Sequence, residues 1–460
     1  MNAPRINLPH ANKGDLTKGS VAKQLTRLTL PMIWGIFAII SFQLVDTYYI
    51  SLLGTQPLAA MTFTFPVTYL IFSLTMGLGI AMSSVVSRQI GEGNQDKVRR
   101  LTTHGLMLAF LTGSVLAVLG LCLINPLFRA MGADDIMMPM IRDYMIIWFG
   151  GNILLTVPLV GNAALRASGD SFLPAIIMTV AAVINIILDP ILIFGMFGFP
   201  RMELQGAAIA TVFANGCAML TSFYILYARK KMICRDGLHL RHFMDSMKRL
   251  GYIALPVGLT GTIQPIVNAV IIGLLASYGA ETIAAYGVVS RMEALAFTII
   301  MALSSAMIPM IGQNWGAERF SRVHETINKA FIFAFGWSLF IAAIFLIFGI
   351  KLTGLFSHEN NPEFLYTTGL YFGIVALTYA PGNLVTGWGS VFNAIGMPRR
   401  SFTMIIVRML CLQLPLAFIG NHYFGVAGIF AAIAITNLST GIVFHILNTR
   451  ILRQHEGKTQ

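Results

Sequence analysis

Two aspartates interrupt stretches of sequence that otherwise carry almost no charge. Asp46 lies 18 residues after Leu28, and Asp189 lies 18 residues after Ser171, where the respective apolar runs begin. A helix rises 1.5 Å per residue, so parallel helices would hold both carboxyl groups about 27 Å from their starts, at one depth. Two carboxyls close together in a dry site cannot both ionise cheaply, so we expect the pair to share protons.

Polar residues next to these aspartates strengthen the prediction of a site. Asn185 lies four residues before Asp189 and shares its helix face, and Pro190 follows directly and frees a backbone carbonyl. Gln43 lies three residues before Asp46, also on its face. Such a cluster can exchange a proton, or bind Na⁺ through oxygen ligands, against a cationic substrate. The alternative is two isolated, protonated aspartates that only pack, although intramembrane carboxylates are functional by default.

A proline lies within the same apolar run as Asp46. Pro31 removes one helix hydrogen bond and Gly35 follows one turn later, so this stretch is predicted to be a hinge that responds to protonation of Asp46. A static kink near the start of the helix is the alternative, and Pro256 at the equivalent place in the second half of the chain supports it.

The second half of the chain has three further ionisable groups inside apolar runs. Arg291 and Glu293 are two residues apart and therefore point to different faces, so each needs another partner. An ion pair between Glu293 and Arg408 is the expectation, and a contact with substrate is the alternative.

The elements that must position these residues are membrane-spanning helices. Of the 460 residues, 56% are hydrophobic and 11% are charged, against about 25% in an average soluble protein. A span needs roughly 20 mostly apolar residues. Twelve runs qualify, and they are apolar all round rather than on one face: 28–52, 58–86, 101–123, 138–165, 171–197, 205–228, 250–277, 282–312, 327–350, 365–392, 402–420 and 424–448.

The distribution of basic residues predicts how the chain lies in the membrane. Of 31 Lys and Arg residues, 25 fall in the two tails and the even-numbered loops, four fall on the opposite side and two lie in helices. By the positive-inside rule both termini are cytoplasmic, in the inner membrane of a bacterial or archaeal cell. The basic excess therefore indicates topology and not a nucleic-acid partner. The polar N-terminal tail lacks a signal-peptide cleavage site.

The chain also repeats itself. With an offset of 225 residues and no gaps, residues 30–98 match residues 255–323 at 14 of 69 positions, including Pro31 with Pro256 and Gly54 with Gly279. Each half holds six spans, so both halves enter the membrane in the same direction and a pseudo-two-fold axis along the membrane normal is predicted. The predicted segments are an N-tail, a six-helix bundle, a basic linker, a second bundle and a C-tail: 1–24, 25–228, 229–248, 249–450 and 451–460.

These residues resemble the multidrug and toxic compound extrusion (MATE) transporters, most of all their DinF-like branch. The resemblance covers nearly the whole chain and is carried by Leu30-Pro31, by Val45-Asp46 and by the segment Asn185-Ile186-Ile187-Leu188-Asp189-Pro190. It implies an all-α membrane protein with two six-helix bundles in a V, which exports drugs in exchange for H⁺ or Na⁺.

The resemblance also implies roles for individual residues. Asp46, Asn185, Asp189 and Thr211 would form the proton-coupling or Na⁺ site. Asn162 and Tyr144 would line the adjoining substrate pocket, to which Gln43 and Met178 are added. The NorM-like branch carries acidic residues in helices 7 and 10, where this chain has only Gln264, Asn268 and Asn383, so protons are favoured over Na⁺.

The predicted function is therefore secondary active efflux of cationic or amphipathic drugs in exchange for H⁺, by alternating access. A Na⁺-coupled antiporter and a flippase for lipid-linked substrates are the alternatives. A channel is disfavoured because no filter-like motif occurs, and an enzyme because no catalytic constellation or ATP-binding loop occurs. No cofactor beyond the ion gradient is expected, and the partners are small-molecule drugs and membrane lipid, with the protein a monomer.

Overall fold

The computed structural model describes residues 14–234, 240–356 and 361–459, and helices make up nearly all of them. Short π-helical segments occur at Ile225–Arg229 and at Val407–Gln413. The fourteen α-helices are α1 Val21–Ser51, α2 Thr55–Gly91, α3 Gln95–Ala130, α4 Met137–Gly150, α5 Asn152–Ala167, α6 Phe172–Phe194, α7 Glu203–Tyr224, α8 Leu240–Ala276, α9 Ala280–Gly316, α10 Phe320–Gly354, α11 Pro362–Val375, α12 Tyr379–Ile395, α13 Pro398–Ile406 and α14 Leu414–Thr459.

These helices make the twelve predicted spans. Within the described ranges nine helical segments are long and apolar enough to cross a membrane, and α4 with α5, bent by 46°, makes a tenth. α11 continues into α12 through a short 3₁₀ turn. The long segment Pro398–Glu456 is broken at Gly425, whose φ of 60° and ψ of −139° suit a residue without a Cβ atom. It therefore supplies two spans.

The spans form two six-helix bundles that are related by a pseudo-two-fold axis along the membrane normal. In the first bundle, α1 packs on α6, α6 packs on α7, and α5 contacts α2, α3 and α7. In the second bundle, α10 contacts α9 and α12, and α12 also contacts α14. Each bundle holds its own apolar clusters of buried side chains, and a further cluster extends across the seam between them.

The seam between the bundles is closed toward one end of the molecule. We call this end the basic end, because Arg88 and Arg249 lie there with the start of α1. α2 packs against α8 and α9. A Cβ atom on Gly77 would lie 2.4 Å from the carbonyl oxygen of Ala254, so the backbones touch. Ser84 Oγ also donates to the carbonyl of Asn393 at 2.5 Å. These close contacts hold the basic end shut.

The opposite end of the seam is open. In α2, most residues from Ser73 to Gln89 are buried, whereas Phe65, Tyr69 and Phe72 in the other half of the helix are exposed. The same change occurs in α9, where residues 302–315 are nearly all buried and Arg291 is exposed. The bundles therefore form a V that opens away from the basic end.

A short segment before α1 fastens the closed end. We call residues 15–20 the strap. The backbone N–H of Leu16, which is fully buried, donates to Gln313 Oε1 at 2.9 Å, and Gln313 Nε2 donates to the carbonyl of Ala167 at 2.8 Å. Arg319 Nη1 donates to the carbonyl of Thr17 at 2.6 Å, and Arg322 Nη1 donates to that of Gly19 at 2.8 Å. The strap thus joins both bundles.

Helix ends differ from the predicted segment bounds by several residues. α1 begins at Val21, within the predicted N-tail, and α8 begins at Leu240, within the predicted linker. α14 runs to Thr459, through most of the predicted C-tail. Hydropathy underestimates the length of these helices because their terminal turns leave the apolar layer and carry polar residues.

Candidate functional site

Asp46 and Asp189 come together in the core of the first bundle. α1 packs against α6, and each aspartate lies five residues before the end of its helix, at Ser51 and Phe194. Asp46 is 6% exposed and Asp189 is fully buried, and the two carboxyls are near enough to interact electrostatically. The two aspartates therefore lie at equal depth in the structure, as the sequence predicts.

Asn185 and Thr211 hold one side of this acid pair. With the Asn185 amide oriented to satisfy its hydrogen bonds, its nitrogen donates to Asp189 Oδ2 at 3.0 Å. Its oxygen then accepts from both Oγ1 and the backbone N–H of Thr211 at 3.2 Å. α6 and α7 pack on each other and so bring the three residues into one chain of hydrogen bonds.

The other oxygens of the acid pair lack partners. Oδ1 of Asp46 and Oδ1 of Asp189 are both buried and accept no hydrogen bond from any described residue. A buried carboxylate oxygen without a donor is costly, and native proteins rarely keep one without a function. The pair is therefore suited to take up a proton or a small cation and to release it again.

Tyr144 lies beside the pair, whereas the other predicted pocket residues are more spread out. Tyr144 is 5% exposed and is close enough to feel the charge of both carboxyls. Asn162 is buried five residues before the end of α5, near the basic end, and its Oδ1 lacks a partner. Gln43 is exposed. Met178 packs where α6 approaches Gly35, 11 residues before Asp46.

The predicted hinge lies in an unbroken helix. α1 continues through Pro31 with helical backbone angles. A Cβ atom on Gly35 would lie 3.3 Å from the sulfur of Met178 and 3.4 Å from Cα of Ala175, so Gly35 lets α1 approach α6 closely. In this conformation α1 is one continuous helix, and its Asp46 lies close enough to Asp189 for their charges to interact.

The expected pairing of Glu293 with Arg408 is wrong. Glu293 instead accepts hydrogen bonds from the hydroxyls of Tyr379 and Tyr371. Arg408 donates to the carbonyl of Gly382 at 3.0 Å and to Asn437 Oδ1 at 2.7 Å. Opposite charges in one bundle suggested an ion pair, but the tyrosines of α11 and α12 reach the carboxyl, and the guanidinium of Arg408 is bound by Gly382 and Asn437 instead.

Sequence reasoning missed the tyrosines around Glu293. Tyr286, on the same helix, donates to Asn268 Oδ1 at 2.6 Å and packs edge-on against Tyr371. The sequence did contain a hint of this contact. A buried carboxyl needs hydrogen-bond donors, and tyrosine hydroxyls are among the few donors in an apolar bundle. Arg88, which lies in the seam, was also counted only as a topology residue.

No group of three or more His, Cys, Asp or Glu side chains that could hold a metal ion occurs within the described ranges. A Na⁺ ion at the acid pair would have the two unpartnered carboxylate oxygens as ligands. With the Asn185 amide turned the other way, its nitrogen donates to Thr211 Oγ1 at 3.2 Å and its oxygen faces Asp189 as a third oxygen ligand. The residues present can therefore take up a proton or offer oxygen ligands to a small cation.

Comparison with known families agrees with the internal repeat. The family model described as MatE matches the chain twice, at residues 31–191 and at residues 256–419. The two matches begin 225 residues apart, which is the offset that aligns the halves of the sequence. Together they cover well over half of the chain, so the repeat in the sequence and the two bundles of the structure are copies of one family unit.

Individual relatives cover nearly the full length. A protein of Shewanella oneidensis described as an FAD transporter is 39% identical over 438 residues, covering 95% of this chain and 96% of its own. A probable multidrug resistance protein of Bacillus subtilis, YoeA, is 27% identical and covers 81% and 80%.

The fold is also that of solved transporters. The Vibrio cholerae MATE transporter VcmN, in its bent form, superposes with a TM-score of 0.88 at 29% identity, covering 94% of this chain and 97% of that one. The repeated match of the family model, the full-length relatives and the two-bundle fold all agree, and the chain belongs to the MATE family of membrane transporters.

Proposed function

We propose that this protein exports organic molecules in exchange for protons, with Asp46 and Asp189 as the coupling site. The observation that carries the proposal is the pair of buried, facing carboxyls with one unpartnered oxygen each. Protonation of the pair removes the cost of the buried charge, and deprotonation restores it, so the two protonation states favour different arrangements of α1 against α6.

The rocking of the two bundles supplies the alternating access. We infer that the basic end faces the cytoplasm of a bacterial or archaeal cell, because its loops carry most of the Lys and Arg residues. The structure is then the outward-open state of a single chain. In the inward-open state the contacts of α2 with α8 and α9 would separate, and Pro31 would absorb the accompanying bend of α1.

The acids of the first bundle favour protons as the coupling ion, as in the DinF-like branch. A Na⁺-coupled exchange, or a flippase for lipid-linked substrates, is the alternative. A flippase would need cationic side chains that face the central cleft, but Arg408 is bound to Gly382 and Asn437 inside the second bundle. Of the two cationic residues predicted within spans, both in the described ranges, the exposed Arg291 remains as a candidate.

The substrate has two candidate classes. Cationic and amphipathic drugs fit the buried carboxyls, and YoeA is described as a probable multidrug resistance protein. The FAD transporter at 39% identity favours a second class, flavin dinucleotides, which combine flat rings with a negatively charged diphosphate. Phe65, Tyr69 and Phe72 are exposed in the half of α2 at the open end, and we infer that rings of either class stack on them.

Transport in proteoliposomes tests the coupling ion and the substrate together. A pH gradient and a Na⁺ gradient are imposed separately, and the efflux of FAD and of a cationic fluorescent dye is followed. We expect efflux of at least one of them to follow the pH gradient and to be lost in Asp46→Asn. Efflux that follows only the Na⁺ gradient would overturn the proton assignment.

A further inference from the structure

A cavity lies between the bundles at the basic end, far from the acid pair. It has a volume of about 430 Å³ and is lined by the ends of α2 and α8 and by the turn between α12 and α13. Three of its lining residues are cationic: Arg88 from the first bundle, and Lys248 and Arg249 from the second. No acidic residue lines it within the part of the chain that the structure describes.

The charges of the cavity are not balanced by ion pairs. Arg88, Lys248 and Arg249 make no salt bridge to any described acidic group. Glu92 is the acid that acts on Arg88 electrostatically, but its carboxylate also accepts a hydrogen bond from Gln89 Nε2 at 2.7 Å. Arg249 acts on Arg88 in the opposite sense, so like charges face each other where the two bundles meet. Closing this end therefore brings two like charges together, and Glu92 offsets part of their repulsion.

Arg88 forms the base of the cavity and is held in position by backbone. Its Nε donates to the carbonyl of Ser84 at 3.3 Å, and its Nη1 donates to that of Ile395 at 3.4 Å. A guanidinium has five N–H donors, so three remain for a ligand. Gly396 makes room for it, since a Cβ atom there would lie 2.3 Å from Nη1.

The mouth of the cavity is aromatic and basic. Tyr252 is 45% exposed, and the guanidinium of Arg399 lies 5.4 Å from the centre of its ring. A flat group that enters beside this ring would find a stacking surface, while Lys248 and Arg249 stand exposed beside it. Topology alone explains exposed cations at this end of the protein. The topology rule does not explain why Arg88 lies inside the seam with three N–H groups that have no acceptor among the described residues.

We propose that this cavity binds a phosphate group, and that the bound phosphate bridges the two bundles and stabilises the closed basic end. Guanidinium and ammonium groups arranged around a concave site are the usual partners of phosphate oxygens. The phosphate can belong to the headgroup of an anionic phospholipid or to a free diphosphate. The inference rests on the proposed function only for the rocking of the bundles at this seam.

Binding is measured on the full-length protein in phosphatidylcholine nanodiscs. Inorganic pyrophosphate and ADP are titrated calorimetrically, and in separate discs the retention of phosphatidylglycerol is followed by native mass spectrometry. We expect saturable binding in one arm, weakened by added KCl, together with a higher Tm for the bound protein. Saturation by pyrophosphate or ADP identifies a free diphosphate, and selective retention of phosphatidylglycerol identifies a lipid.

The decisive variant is Lys248→Gln/Arg249→Gln, because both side chains are exposed and the protein should fold. We expect it to weaken binding by about tenfold or more, since each charged hydrogen bond contributes to affinity. Arg99→Gln/Arg241→Gln, which removes two exposed cations of the same end outside the cavity, is the matched control. Equal binding by both double variants, or no saturable binding in either arm, would overturn the proposal.

The proposal for the coupling site and the proposal for the cavity can be refuted independently. Asp46→Asn should bind the phosphate probe as the wild type does, because Asp46 lies near the opposite ends of the helices. If this variant loses transport and keeps phosphate binding, the two sites are independent. If transport is proton-coupled but phosphate binding is absent, the proposed function stands and the cavity is simply a basic cleft.

Discussion

The two bundles differ in how completely their buried carboxyl groups are hydrogen-bonded. In the first bundle, Asp46 and Asp189 each keep an oxygen without a partner. In the second bundle, the carboxyl of Glu293 is bound by the hydroxyls of Tyr379 and Tyr371. The carboxyls of the first core therefore have oxygens free to accept a proton or to bind a cation. The carboxyl of the second core is already hydrogen-bonded by the protein.

The internal repeat sharpens this difference. Asp46 corresponds to Ile271 in the second repeat, and Ile271 is fully buried in an apolar cluster. The same helix position therefore holds an acid in one bundle and a packing residue in the other. Duplication gave both bundles one scaffold, and we infer that only the first uses it for coupling, while the polar groups of the second mainly fix its packing.

The largest effect should come from Asp46. The Asp46→Asn variant keeps the size of the side chain but cannot change its charge, so we expect export to fall to background. Export and membrane abundance are measured in the same cells. Asp143→Asn, which removes an exposed acid from α4, is the matched control and should transport normally. Normal export by Asp46→Asn would place the coupling elsewhere.

Asp189→Asn tests whether the two acids work as a pair. Alone it should abolish export as Asp46→Asn does, and the double variant should be no worse than either single one, because groups that act as a unit are not additive. Proton uptake on substrate release, followed with a pH-sensitive dye, gives the readout. Two partial losses that multiply in the double variant would show independent sites.

A smaller loss is expected from Asn185→Ala. This change removes the donor to Asp189 Oδ2 and leaves the carboxyls in place. A hydrogen bond to a charged group contributes about 1.5–3 kcal/mol, so export should fall by roughly ten- to a hundredfold. Initial rates in proteoliposomes measure it. Asn215→Ala, which removes a bond to the Thr211 backbone, serves as the control and should cost less; equal losses would make the Asn185 bond merely structural.

The smallest effect on transport should come from Glu293→Gln. The tyrosine hydroxyls can still donate to the amide oxygen, so export should stay close to that of the wild type. The free energy of unfolding should fall by about 1–3 kcal/mol, because the NH₂ group of glutamine puts a buried donor where the carboxyl had an acceptor oxygen. Thermal unfolding of the purified protein, with Tyr379→Phe as the reciprocal variant, measures this. Loss of proton coupling in Glu293→Gln would contradict the inference that only the first bundle is used for coupling.

How much the sequence predicts depends on the kind of interaction. The spans, the repeat and the depth of Asp46 and Asp189 all follow from local hydropathy and from the rise per residue, which one sequence contains. The partner of Glu293 does not, because it depends on which faces of α9, α11 and α12 meet. The break at Gly425 falls at the predicted boundary between the runs 402–420 and 424–448, but hydropathy does not identify which residue leaves the helical conformation.

The strap has a consequence for how the protein is made. Leu16 bonds to Gln313, 297 residues later in the chain, and the strap also needs Arg319 and Arg322. At about 5–20 residues per second, synthesis of that intervening chain takes roughly 15–60 s. During this time the first bundle can insert, but the strap has nothing to dock on. The burial of the strap therefore has to wait until α9 and the start of α10, well inside the second bundle, have been synthesised.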